Sequence, residues 1–92
     1  MEFSVNDIVT LKSFLGTETA EIEIDEAENY WKLLNISGKI IQKKEHVHPA
    51  FPEKGLQVLV CFFDDLQKFN LVCHNEIPNS LWIFQSDLTR NP

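Results

Sequence analysis

The sequence predicts an all-β domain, a small and strongly bent barrel of about five strands. Four separated segments carry that expectation: 3–12, 36–42, 56–63 and 80–85 either alternate apolar with polar residues or are apolar on both faces, the patterns of half-buried and fully buried strands. Turn-forming Gly, Pro, Asn and Asp punctuate the stretches between them. A chain of 92 residues makes one domain, residues 1–92, with one modest core. Four apolar segments in so short a chain have to bury their faces together.

In the first segment Phe3, Val5 and Asp7 share one strand face, which Val9 and Leu11 continue, with a bend or bulge at Asn6-Asp7. Ser13 to Gly16 reads as a turn in which Gly16 takes a positive φ. Glu21-Ile22-Glu23-Ile24-Asp25 alternates with period two and reads as a further strand. Asp25 to Leu34 fits either an irregular loop or a short helical turn capped by Asp25, with Ala27, Tyr30, Trp31 and Leu34 on its apolar side. Gly38, inside the second segment, marks a bulge or a close backbone approach. His46 to Gly55 is a connection whose prolines cannot donate ladder hydrogen bonds. Leu56 to Phe63 is apolar on both faces, with Leu59, Cys61 and Phe63 opposite Val58, Val60 and Phe62, as expected of a central strand. Leu66 to Asn79 is a second connection, apolar enough to require packing. Leu81 to Phe84 is the last clear strand, and Ser86-Asp87-Leu88 fits one 3₁₀ turn.

Four of these stretches resemble the SH3-like small β-barrel superfamily in its KOW- and Tudor-type bacterial forms. Val5-Asn6-Asp7-Ile8-Val9 resembles the V-G-D-x-V opening, and Ile36-Ser37-Gly38-Lys39-Ile40 the x-x-G-x-V second strand. Val58-Leu59-Val60-Cys61-Phe62 resembles the third strand, and Leu81 to Leu88 the closing strand and turn. The likeness covers about half the chain and concerns barrel geometry. The sequence departs from it where Asn6 replaces the glycine before Asp7, and in the long acidic connection after the first strand. The paired tryptophans and proline-bearing turn of proline-rich-peptide binders are absent. The resemblance implies that loops around the barrel bind proteins or nucleic acids.

The net charge of −6 is concentrated. Residues 1–31 hold eight acids and one base, whereas residues 32–92 hold six acids and seven bases. An acidic arm suits a protein partner with a basic surface and opposes nucleic acid, whose phosphates need cations. No apolar run reaches the ~20 residues of a membrane span. The N-terminus lacks a secretory signal, and two cysteines do not make a disulfide framework. The expected compartment is the cytoplasm.

No motif carries chemistry. Asp64-Asp65 and the acids Glu21, Glu23, Asp25 and Glu26 have no sign of the desolvation that a general acid requires. Cys73 and His74 are neighbours and would point apart on a strand. The glycines are isolated, with no phosphate-binding loop. His46 and His48, with Cys73-His74, offer four donors, but their spacing matches no standard zinc pattern and Pro49 breaks the strand that would align the pair. They read as loop histidines, and no metal or other cofactor is expected. The aromatics exceed what a small barrel must bury, and either Trp82 or its neighbours must face outward.

The function expected is therefore a non-enzymatic protein-interaction module, of the small regulatory, immunity or inhibitor type. Its partner-binding residues are Glu21, Glu23, Glu26, Tyr30, Trp31 and Trp82. The alternative is a nucleic-acid-binding barrel using Lys39, Lys43, Lys44 and Lys68. A metal-assisted hydrolase, resting on the histidines alone, is the third.

Overall fold

The computed structural model describes residues 3–20 and 24–90. They form one five-stranded antiparallel sheet built from β1 (Ile8–Leu11), β2 (Ser37–Lys43), β3 (Gln57–Phe62), β4 (Ser80–Phe84) and β5 (Leu88–Arg90), in the order β4-β3-β2-β1-β5. The only helical pieces among the described residues are short 3₁₀ turns. The sheet cannot be flat. Its edge strands β4 and β5 would then lie four strand spacings apart, about 19 Å. The link from Phe84 to Leu88 reaches at most about 14 Å even when fully extended, and it is tightened further by a 3₁₀ turn at Gln85–Asp87. The sheet therefore rolls up, as expected of a small SH3-like barrel.

All five strands contribute to the core inside the roll, through Val9, Leu11, Ile40, Val58, Val60, Phe62, Leu81, Ile83 and Leu88. The connections supply Phe3, Tyr30, Leu33, Leu66 and Leu71. Near the start of β2, Gly38 pairs with Val9 on one side and Phe62 on the other. A Cβ there would lie 2.7 Å from the Cys61 carbonyl oxygen and 2.8 Å from Val60 Cγ1. Of the two readings of Gly38, the close approach is the one observed. The bulge falls two residues later, between Ile40 and Gln42.

Several expectations are corrected. The first strand begins only at Ile8, because Ser4 to Asp7 is a turn with Asn6 at φ 78°. That turn puts Phe3 in the core and leaves Val5 exposed. It is fastened by Asp7, whose carboxylate accepts from the Ser4 amide at 2.8 Å and pairs with Arg90 at 3.2 Å. The Ser4 bond, helped by the charges of Arg90 and Lys43 and opposed by desolvation, holds the Asp7 carboxyl below its ordinary pKa. Phe63 lies just past β3 and is 64% exposed, so two-sided burial ends before it. The fifth strand is β5, following the 3₁₀ turn that the sequence suggested. Ile24 and Asp25 are not in a strand, and Glu21, Ile22 and Glu23 lie outside the described residues.

Candidate functional site

Between β1 and β2 the chain makes two successive 3₁₀ turns, Glu26–Glu28 and Tyr30–Leu33. Asp25 caps the first, its carboxylate accepting from the Ala27 amide at 3.0 Å, which satisfies a donor that the turn leaves unpaired. In the second, residues three apart lie above one another, so Tyr30 and Leu33 both enter the core. Trp31, between them, is left at the rim, half-buried. Tyr30 donates from its hydroxyl to the Val72 carbonyl at 2.6 Å, and the Val72 amide donates to the Ala27 carbonyl at 3.0 Å. Lys32 donates to the Phe69 carbonyl at 3.0 Å. These bonds clamp the segment to the 66–73 connection.

On the opposite side stands the turn of residues 14–17, with Gly16 at φ 84° as expected and Leu15 at φ 53°. Buried Asp87 holds it in place. Its carboxylate accepts from Ser13 Oγ at 2.6 Å, from the Gly16 amide at 2.9 Å and from the Leu15 amide at 3.1 Å. Phe14 of this turn meets the Trp31 ring edge to face at 4.9 Å and the Tyr30 ring at 5.6 Å. The Trp31 indole N–H is shared between Thr17 Oγ1 at 3.0 Å and the Thr17 carbonyl at 3.2 Å.

The two walls enclose a cleft of about 550 Å³, lined by Phe14, Leu15, Ile24, Tyr30 and Trp31 with the acids Asp25 and Glu28. Its volume lies in the usual range of ligand pockets, and among the described residues its charged ones are both acidic. Glu28 also contacts His74 Nε2 at 3.0 Å. Burial first, and then the charge of Glu28, raises the pKa of the Tyr30 phenol. Aromatic faces beside carboxylates are the surroundings in which an ammonium or guanidinium group is held.

The residues singled out from the sequence are distributed unevenly around this cleft. Tyr30 and Trp31 line it. Glu26 stands nearby and approaches Lys32 at 3.9 Å. Glu21 and Glu23 lie outside the described residues. Trp82 is elsewhere, on the outer face of β4, paired across the strands with Leu59 and lying under the Lys44 ammonium at 4.8 Å. The four lysines of the alternative reading have separate surroundings. Lys39 is exposed on β2. The bulge turns Lys43 to the side of Val58, where its ammonium donates to the Phe3 carbonyl at 2.6 Å. Lys68 lies beside Asp64 at 4.0 Å.

Among the described residues, no group of three or more His, Cys, Asp or Glu is gathered to hold a metal. His48 Nδ1 accepts from the Ala50 amide, and its ring packs against Phe51. Nor is any described helix long and apolar enough to cross a membrane. Phe14, Leu15 and Asp87 escaped sequence reasoning. Their one signal was the adjacent pair Phe14-Leu15, two large apolar residues inside a turn. No family model, curated protein or solved structure matches this chain.

Proposed function

We propose that this chain is a protein-interaction module that docks a basic segment of a partner protein, seating a lysine or arginine side chain in the cleft beside Trp31. The role is binding, as of a small regulatory, immunity or inhibitor protein, and not catalysis. The observation that carries the reading is the joining of Phe14, Tyr30 and Trp31 with Asp25 and Glu28 around one opening, within the third of the chain that holds its excess negative charge. The acidic arm, with Glu21, Glu23 and Glu26, steers the partner's approach, and the Trp31 ring supplies contact area. The unpaired thiols of Cys61 and Cys73 favour a reducing compartment such as the cytoplasm.

A lysine- and arginine-bearing peptide titrated into isotope-labelled protein tests the reading. The Trp31 indole resonance should shift saturably while that of Trp82 stays in place. With Glu21, Glu23 and Glu26 replaced by Gln, association should slow at low salt and converge with the parent at 1 M, where the Debye length is about 3 Å. Trp31→Phe should speed dissociation. Tight binding of DNA or RNA, weakened by Lys43→Glu with Lys44→Glu and indifferent to the acids, would replace this reading with a nucleic-acid one.

A further inference from the structure

The 52–55 turn, the start of the described chain and β5 enclose a second groove, of about 570 Å³. Lys12, Lys54 and Arg90 line it, three of the chain's eight lysines and arginines. Glu53 is its one acid among the described residues. In a molecule with 14 acids and a net charge of −6, this wall stands out by its sign. Two of the cations are held in place by rings. The Lys54 ammonium sits 5.1 Å from the Phe51 ring centre and 5.6 Å from that of Phe84. The Arg90 guanidinium lies 5.4 Å from the Phe3 ring centre and also pairs with Asp7. Among the described residues Lys12 and Lys54 have no carboxylate partner.

Gln85 also lines the groove, with its side-chain Nε2 buried out of reach of solvent. Gly55 keeps the floor low: it takes φ 76°, and a Cβ there would stand 3.3 Å from Gln85 Oε1. Cations gathered on one wall, two of them held against rings, beside the apolar Phe3 and Leu88, suit an organic molecule with an anionic head.

We propose that this groove is an oxyanion site, binding the phosphate or carboxylate group of a small ligand between Lys12 and Lys54, beside Gln85. The site is separate from the aromatic cleft and does not depend on it. Titrating inorganic pyrophosphate and, in parallel, citrate into isotope-labelled protein at constant ionic strength tests it. Either anion should move the Gln85 side-chain amide and the Lys54 and Gly55 backbone amides saturably, and the tighter of the two identifies the group preferred. Lys12→Gln with Lys54→Gln should weaken that anion about tenfold or more, while Lys39→Gln with Lys68→Gln leaves it unchanged. Lys12 is exposed, so Lys12→Gln alone serves if the double variant misfolds, and it should still weaken binding severalfold. The absence of saturable shifts with both anions, or equal weakening by the two lysine pairs, would overturn the proposal.

Discussion

Tyr30 and Asp87 are the polar side chains on which the cleft depends, and each makes a separate prediction. Tyr30 is the chain's sole tyrosine, so phenolate absorbance reports it alone. Burial and Glu28 favour its neutral form and raise its pKa above 10.0. A raised folded-state pKa in a group that is neutral below it contributes stability below the unfolded value, and that stability is lost as pH rises through the folded one. The folded protein should therefore titrate above about 10, and the urea-unfolded chain near 10. A folded midpoint at or below the unfolded one would contradict the burial of the phenol beside Glu28. Asp87→Ala leaves Ser13 Oγ and the Leu15 and Gly16 amides without their acceptor. Urea denaturation should register a loss of about 3 kcal/mol, and Trp31 fluorescence should change because Phe14 is no longer fixed against it. At this scale the sequence was informative where chemistry is local. Asp25 reads as a cap because a carboxylate before a turn bonds the next amides. Asp87 could not be read, because its partners lie 71 to 74 residues away.

Among the elements, β2 is the most constrained. Gly38→Ala places a methyl 2.7 Å from the Cys61 carbonyl and 2.9 Å from Phe62 Cα, and backbone cannot yield as a flexible side chain can. Thermal or urea melts should show destabilisation of about 2 kcal/mol, whereas Lys39→Ala, one residue on and exposed, should change little. The strands that were legible are those that bury several side chains. In β3, four of six residues are buried, and such density leaves a pattern. In β5 only Leu88 is buried, so Leu88-Thr89-Arg90 carried no recognisable period. Alternation across 3–12 misplaced Val5 because the positive φ of Asn6 resets the chain direction. The bulge after Ile40 likewise depends on how β3 is paired and leaves no mark in β2 itself.

At the scale of the whole molecule, the class of fold was legible from the number of apolar segments and the shortness of the chain. The site was legible in part. Acid excess and the pair Tyr30-Trp31 pointed to one region, and the structure joins each of those rings to Phe14 but neither to Trp82. The missing wall, Phe14 and Leu15, is set by contact between the two ends of the chain, which no local pattern records. That contact has a measurable weight. A chain stopped after Asp87 lacks β5, leaves the outer edge of β1 unpaired and loses the Leu88 side chain from the core. It should show no cooperative melt by circular dichroism, whereas stopping after Arg90 should preserve one.

The same arrangement bears on how the protein is made. A ribosome releases residues in order, and β1 emerges long before β5, its second partner. Until residue 90 is free, β1 presents an unpaired edge and the turn that carries Phe14 has no anchor. Sheets dominated by such distant pairings fold slowly, and an open edge invites pairing with other chains. A growing chain should therefore be a client for chaperones from the emergence of β1 until that of β5, with its aromatic cleft assembled only then.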